Sequence, residues 1–315
     1  MEDVTDTVFR RIVASCGRPD VFFTEFTSTD GLVSPGRLRV SERLEYTDEE
    51  LPLVAQIWGN NPENYYKACQ EIADRKFQGI DINMGCPVKK IAGKGCCSGL
   101  IDNPKLAGEL IQAAKEGSKG LPVSVKTRLG YRKVQTEEWF SFLLEQDVPV
   151  ITVHGRVAKH MSKYPADWDE IGKVVELRNQ INSKTLIIGN GDVKSQAEIS
   201  EKTTKHGVDG VMIGRGIFGN PFLFNNESPQ HIDELTPLQK IQLLEQHLHL
   251  FETRWGENTR YATMKRFYKI YINNFPDASS LRAKMMETNN PTEADAVLSI
   301  FKNEQNSNLS NSLPF

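Results

Sequence analysis

The feature that most limits how this chain can fold is an alternation. From Val21 to Ile213, short and almost wholly apolar runs are each followed by a longer amphipathic segment. Seven runs have the β-branched composition of strands: Val21–Glu25, Leu53–Ile57, Gly79–Asn83, Val123–Lys126, Val150–Val153, Leu186–Gly189 and Gly210–Ile213. Runs apolar at successive positions are covered on both faces, as in a parallel sheet. Helices are predicted between them, beginning at Pro62, after Asn103-Pro104, after Thr136, near Asp167-Trp168 and after Asp192. Proline suits a first helical turn, and Asn or Asp suits the cap before it. Strand–helix alternation of this kind fits a β/α barrel or a doubly wound sheet.

The rhythm stops near Asn225. Residues Asn226–Glu234 are polar and hold Pro229, so they read as a linker. From Pro237 the period turns helical, with Leu238, Ile241, Leu244, Leu248 and Phe251 at three- and four-residue spacing. Further helices are predicted near Tyr261–Asn273, after Ser279 and after Pro291. The Ser/Asn-rich tail from Asn306 is expected to fray. The resulting division is a β/α domain over 1–228, a small all-α domain over 235–305 and a tail over 306–315.

Composition excludes several classes. Lys plus Arg is 38 and Asp plus Glu is 41, so the chain is not globally basic, although a local basic face is not excluded. No apolar run approaches the ~18–20 residues of a membrane helix. Glu2, Asp3, Asp6 and Arg10 are unlike a secretory leader. Five scattered cysteines, with no Cys-x-x-Cys pair, point to a reduced, cytoplasmic protein without a disulfide framework or zinc site. The histidines show no ligand spacing, and no metal is expected.

Polar residues fall at the ends of the apolar runs. Gln56 ends one; Asn83 ends the next, followed by Gly85-Cys86-Pro87; Lys126 and Arg128 end another. His154-Gly155-Arg156, Asn190-Gly191-Asp192 and Gly214-Arg215-Gly216 follow three more. In a parallel barrel all carboxyl ends of strands share one rim, where active sites are built. Six consecutive polar ends would converge there. The two glycine-rich turns could form a phosphate site, with Arg215 adding charge and Gly216–Gly219 a short helix. The alternative is a pair of tight turns that need glycine. Cys86, on a loop beside Asn83, reads either as a packing residue or as a proton donor or nucleophile. The adjacent Cys96-Cys97 pair reads as packing.

Taken in order, these strings resemble the tRNA-dihydrouridine synthase family over about residues 1–300. They are Met-Glu-Asp-Val-Thr-Asp from Met1, Val-Ala-Gln-Ile from Val54, Asp-Ile-Asn-Met-Gly-Cys-Pro from Asp81, and Val-Lys-Thr-Arg from Val125. Val-His-Gly-Arg from Val153, Ala-Asp-Trp from Ala166, Gly-Asn-Gly-Asp from Gly189 and Met-Ile-Gly-Arg-Gly from Met212 follow. The resemblance implies a TIM (β/α)8-type barrel carrying FMN, followed by a small all-α helical domain that grips tRNA. It implies reduction of the uracil C5–C6 double bond, with NADPH (or NADH) reloading the flavin and Cys86 as proton donor. Met1, Gln56, Lys126 and His154 would lie against the flavin ring. Asn190, Gly191, Asp192, Gly214 and Arg215 would hold its phosphate and ribityl end. Asn83 would help hold the target base.

Arg128, Arg156, Lys265 and Arg266 are further candidates for contacts to substrate. Between Arg254 and Met286 the chain has seven basic and two acidic residues, interleaved with Trp255, Tyr261, Phe267, Tyr268 and Tyr271. That stretch is either a tRNA grip or a solvated face over an aromatic core. A monomer is expected. The chain departs from the family in three places. The family has a strand ahead of the segment that begins here at Met1, so the barrel would lack its first strand. His160 and Ser162 stand where Gln and Tyr are usual, and Cys96-Cys97 where small residues are more common. Competing readings are an FMN-barrel oxidoreductase acting on a free pyrimidine or enone, and a non-catalytic tRNA-binding protein.

Overall fold

The computed structural model describes residues 3–256 and 261–311, with side-chain surroundings described as far as Gln305. The chain divides into two compact units, one holding Asp20–Gly216 and the other Asp3–Pro19 together with the chain from Ile217 onward. The segment Asp3–Pro19 therefore packs with the second unit. The change of unit falls at Gly216–Ile217, earlier than the boundary at 228 that the polar linker suggests.

In the first unit the strands are β1 (Phe22–Phe23), β2 (Thr27–Ser28), β3 (Leu53–Trp58), β4 (Gly79–Met84) and β5 (Val123–Gly130). They continue with β6 (Val150–Val157), β7 (Leu186–Asn190) and β8 (Gly210–Met212). All pair in parallel, in the order β1-β3-β4-β5-β6-β7-β8, with β2 also on β3. The result is a curled parallel half-barrel, and among the described residues no ladder joins β8 to β1 or β2. The run expected over Val21–Glu25 is two short pieces. Both Thr24 Oγ1 and Thr27 Oγ1 turn onto the Glu25 carbonyl, which interrupts the ladder between them.

Two strands run longer than their apolar cores. β5 reaches Gly130 and β6 reaches Val157, so Arg128, His154 and Arg156 are strand residues rather than loop residues. The pairs Arg128↔His154 and Gly130↔Val157 continue the ladder past a register shift. Backbone hydrogen bonding sustains this extension, to which side-chain polarity is blind.

The covering helices begin where their caps allow. Asn61, Asn103, Asp167 and Ser195 each accept a first-turn N–H, opening helices Pro62–Asp74, Pro104–Gly117, Trp168–Gln180 and Gln196–His206. Leu110, Ile111, Ala107 and Ala114 form the buried face of one of them.

The second unit holds a helix that the alternation conceals, Thr7–Cys16, capped by Asp6. Its buried Val8, Phe9, Ile12 and Val13 repeat at helical spacing. Phe9 stacks on Phe267 at 4.9 Å and on Phe218 at 5.3 Å between ring centroids. Helix Pro237–Trp255 buries Ile241, Leu244, Leu248 and Phe251 as its period predicts, and also Lys240 and His247. Lys240 is held by Asp233 at 2.8 Å and by the Asn273 carbonyl at 3.2 Å. The helix expected over Tyr261–Asn273 is two short pieces, Tyr261–Met264 and Tyr268–Tyr271, followed by Ala278–Glu287. The last helix, Pro291–Asn311, continues past 305, because Ser and Asn lower helix propensity without stopping the hydrogen-bond ladder. No helix among the described residues is long and apolar enough to cross a membrane.

One close approach in the half-barrel is directly testable. A Cβ on Gly189 of β7 would lie 2.3 Å from Cζ3 of Trp168, whose indole N–H donates to the Gly191 carbonyl at 3.0 Å. Gly189→Ala should lower unfolding stability by about 1–3 kcal/mol. Chemical denaturation with an unchanged midpoint would show that Trp168 yields without cost.

Candidate active site

Parallel register converts the polar strand positions into rows. Gln56 faces Asp81, and Asp81 faces Ser124. Asn83 faces Lys126. Arg128 faces His154, and His154 faces Asn190. Positions two apart on a strand share a face. Asp81 and Asn83, and likewise Ser124, Lys126 and Arg128, therefore project to one side.

The first cluster is a chain of hydrogen bonds with a single polarity. Gln56 Nε2 donates to Asp81 Oδ2 at 2.8 Å, and Ser124 Oγ donates to Asp81 Oδ1 at 2.7 Å. Asn83 Nδ2 donates to Gln56 Oε1 at 3.0 Å. Asn83 Oδ1 then accepts the backbone N–H groups of Gly85 and Cys86, each at 3.0 Å. Burial pushes the Asp81 carboxyl up to about 6, against the pull of Ser124, Gln56 and Lys126.

The loop after β4 carries Cys86, which is half-buried. Its carbonyl accepts from Ser98 N at 3.3 Å and Ser98 Oγ at 2.8 Å. Cys97, fully buried at a φ of 50°, has its thiol hydrogen-bonded to Cys86, which together with burial raises its own pKa well above the ordinary thiol value. Arg128 Nε binds the Gly85 carbonyl at 2.7 Å, and its NH1 binds the Met161 carbonyl at 3.1 Å. The guanidinium thus ties the Cys86 loop to the loop after β6.

The second cluster is cationic. Lys126 Nζ donates to Asn190 Oδ1 at 3.0 Å, and Asn190 Nδ2 donates to the Met212 carbonyl at 2.8 Å. Burial and the neighbouring Arg128 bring Lys126 down to about 8, with Asp81 opposing. Burial, Arg156 and Arg215 bring Arg128 down to about 10, with Cys86 opposing. His154 is driven to about 2 by burial and then by Lys126, Arg128, Arg156 and Arg215. Arg156 approaches His154 Nε2 at 3.0 Å, donates to the Tyr164 carbonyl at 2.7 Å, and pairs with Asp192 at 2.5 Å. Burial raises the Asp192 carboxyl, but bonds from Arg156 and the Ala166 N–H and the charge of Arg215 outweigh it, leaving Asp192 below its usual range.

The turn Asn190-Gly191-Asp192 needs its glycine. Gly191 sits at a φ of 131°, and a Cβ there would lie 2.6 Å from the Ala166 Cβ. Over Gly214 the space is open, and a Cβ would meet only Asn190 Nδ2, at 3.9 Å. The short helix expected over Gly216–Gly219 is one 3-10 turn, Arg215–Phe218.

The rim therefore gathers Gln56, Asn83, Cys86, Lys126, Arg128, His154, Arg156, Asn190, Gly191, Asp192, Gly214 and Arg215 within one unit. Met1 lies outside the described residues. Lys265 and Arg266 belong to the second unit, where Lys265 Nζ donates to the Met286 carbonyl and Arg266 to the Asp3 carbonyl. His160 is exposed and meets Tyr164 edge-on. Sequence reasoning passed over Asp81 and Ser124, and read Cys97, with Cys96, only as packing. The signal for Asp81 and Ser124 was there: each lies two residues before a chosen polar residue, on the same strand face. Among the described residues no group of three or more His, Cys, Asp or Glu is arranged to hold a metal ion.

The model of one family, described as dihydrouridine synthase (Dus), matches residues 1–306. The chain belongs to the dihydrouridine synthase family. It is 46% identical over 305 residues to the probable tRNA-dihydrouridine synthase 2 of Bacillus subtilis (strain 168), covering 96% of this chain and 92% of that one. It is 45% identical to the probable tRNA-dihydrouridine synthase of Staphylococcus aureus (strain COL), covering 96% and 91%. A solved structure of morphinone reductase in complex with tetrahydroNAD aligns with a TM-score of 0.49 and 13% identity, over 70% of this chain and 81% of that one.

The state of His154 gives this family member a measurable acid response. A histidine near 6.5 when unfolded and near 2 when folded binds fewer protons in the native state across that interval. Its contribution to stability is complete above about pH 6.5 and is lost as pH falls toward 2. His154→Gln should flatten the decline in unfolding stability between pH 6.5 and 4. In the parent protein, the His154 ring resonance should not titrate above pH 4. A ring that titrates near pH 6 would contradict the burial and repulsion described above.

Proposed function

We propose that this chain reduces the C5–C6 double bond of uridines in tRNA, using FMN with NADPH (or NADH) as electron source, in the cytoplasm. The observation that carries the reading is the meeting of a half-buried thiol, Cys86, with a cationic rim at the carboxyl ends of β4 to β8. Family membership supplies the reaction class, and the names of the relatives supply tRNA as the substrate.

The residues present fit a flavin. Over Gly214 a Cβ would meet only Asn190 Nδ2, so the backbone there is open to the approach of a phosphate or ribityl group, with Arg215 exposed near Asp192. Gln56 retains one amide hydrogen and one lone pair beyond the bonds described. It can therefore pair with a ring edge that both donates and accepts. Lys126 retains two ammonium hydrogens, and its charge suits the electron-rich edge of a reduced ring. When bound, the flavin supplies the hydride that adds to C6 of the pyrimidine.

The remaining steps belong to the chain. Cys86 gives its thiol proton to C5. The thiolate left behind lies in the field of Arg128, whose own pKa registers that attraction, and beside the Cys97 thiol. Asn83 has both carbonyl lone pairs committed to the loop. It would meet the target base through its second amide hydrogen. His154, neutral, adds no further positive charge to the rim. The target nucleotide has to leave its stack to reach Cys86, at a cost of a few kcal/mol.

The tRNA grip is assigned to the second unit. Lys269, Lys284 and Arg266 are exposed there, whereas Tyr261, Phe267, Tyr268 and Tyr271 are buried. A solvated basic face over an aromatic core therefore supports binding through phosphates rather than through stacking. Arg260 lies outside the described residues.

Cys86→Ala should keep flavin absorbance in the purified protein and lose about 10²–10⁴-fold in turnover on tRNA. Near-full activity would remove the thiol from the reaction. Activity on free uracil or orotate with none on tRNA would favour a small-molecule oxidoreductase instead. Binding to tRNA should weaken steeply between low and moderate salt, as phosphate contacts require. A flat response would displace the grip from the basic face.

A further inference from the structure

Two ends of the first cluster demand the same polarity independently. A carboxylate at Asp81 can only accept, and both of its oxygens are engaged, Oδ2 by Gln56 Nε2 and Oδ1 by Ser124 Oγ, so the atom of Gln56 facing it is the amide nitrogen. At the other end the backbone N–H groups of Gly85 and Cys86 can only donate, so the atom of Asn83 facing them must be the carbonyl oxygen. The link between them, Asn83 Nδ2 to Gln56 Oε1, is the one arrangement that satisfies both. Every member is buried except the loop itself. Asp81 is moreover set in place by Ser124 from the adjacent strand.

We propose that Asp81 is a positioning residue: through Gln56 and Asn83 it fixes the loop that holds Cys86. Asp81 does not touch the reacting atoms. Its carboxylate orients the Gln56 amide, Gln56 orients the Asn83 amide, and the Asn83 oxygen pins two successive loop N–H groups. Without an acceptor at position 81 the Gln56 amide can turn over. It then presents nitrogen to the Asn83 nitrogen, and Asn83 must release the loop to find a new partner. The same carboxylate therefore sets both the donor–acceptor face that Gln56 offers to a ligand and the place of the thiol. The relevance to catalysis rests on Cys86 being the proton donor. The pinning of the loop does not.

Hydrogen exchange of individual amides in the full chain, without added tRNA, reads this directly. Asn and Leu are close to Asp in shape, and only Asn keeps an acceptor oxygen. Asp81→Leu should speed exchange of the Gly85 and Cys86 amides about tenfold, equivalent to about one lost hydrogen bond, and leave the ladder amides of β4 and β5 near their parent rates. Asp81→Asn should restore most of the protection. If Asp81→Leu leaves the two amides unchanged, the proposal is wrong. It is equally wrong if exchange rises throughout β4 and β5, which marks a merely structural role, or if Asp81→Asn is as fast as Asp81→Leu. Should Asp81→Leu not fold, Gln56→Leu cuts the same relay one step later. It should produce the same local rise, and no rise there would overturn the proposal. None of these outcomes depends on turnover, so they are separable from the test of Cys86 as acid.

Discussion

The arrangement depends on concentrated positive charge. Arg128 lowers Lys126, Arg156 and Arg215 lower Arg128, and all four lower His154, while the carboxylates that answer them are Asp81 and Asp192. Like charges held close in a partly desolvated site repel more strongly than in water. The lowered values of Lys126 and Arg128 record burial first and that repulsion second. Three of the four members are held in place. Arg156 is clamped by Tyr164, His154 and Asp192, Arg128 by two backbone carbonyls, and Lys126 by Asn190. The excess positive field is then available to an anion at the rim, whether a phosphate or an electron-rich ring.

Much of this was legible in the sequence because a parallel sheet obeys two simple rules. Strands covered on both faces are apolar throughout, so a polar residue at the end of one stands out. All carboxyl ends share a rim, so successive polar ends converge. Gln56, Asn83, Lys126, His154 and Asn190 were found this way, and the register brings Asn83 beside Lys126 and His154 beside Asn190. The rules gave less warning where backbone pairing outlasted the apolar run. The predicted strands stopped at Lys126 and Val153, short of Arg128, His154 and Arg156, because the polarity of those residues masked a ladder that continues past them.

Other features had no such rule. The helix Thr7–Cys16 lies ahead of the first apolar run, and its buried face of Val8, Phe9, Ile12 and Val13 packs in the second unit. Sequence order alone would keep it with the strands that follow. Aromatics interleaved with lysines and arginines could have been stacking platforms or a core. Tyr261, Tyr268 and Tyr271 are core, and their hydroxyls are satisfied internally by one another, Thr288 and His247. Side-chain spacing could not separate the two, since on a short helix the buried and the solvated face alternate within a few residues.

Asp81 passed unnoticed for a different reason. A carboxylate inside an apolar strand is costly unless hydrogen bonds compensate it. Its partners, Gln56 and Ser124, come from the strands on either side, and no local motif reveals them. Once the register is known, the cost becomes informative. Burial raises this carboxyl, and Ser124, Gln56 and the attraction of Lys126 each act against burial. The anion is thereby coupled both to the amide relay that reaches the Cys86 loop and to the ammonium that faces the rim. The two clusters are in this sense one electrostatic unit: Asp81 raises Lys126 while Lys126 lowers Asp81. A change that neutralised either group would alter the charge presented at the rim, while the relay needs only an acceptor oxygen at position 81. Such coupling explains how a residue distant from the reacting atoms can matter to them without contact.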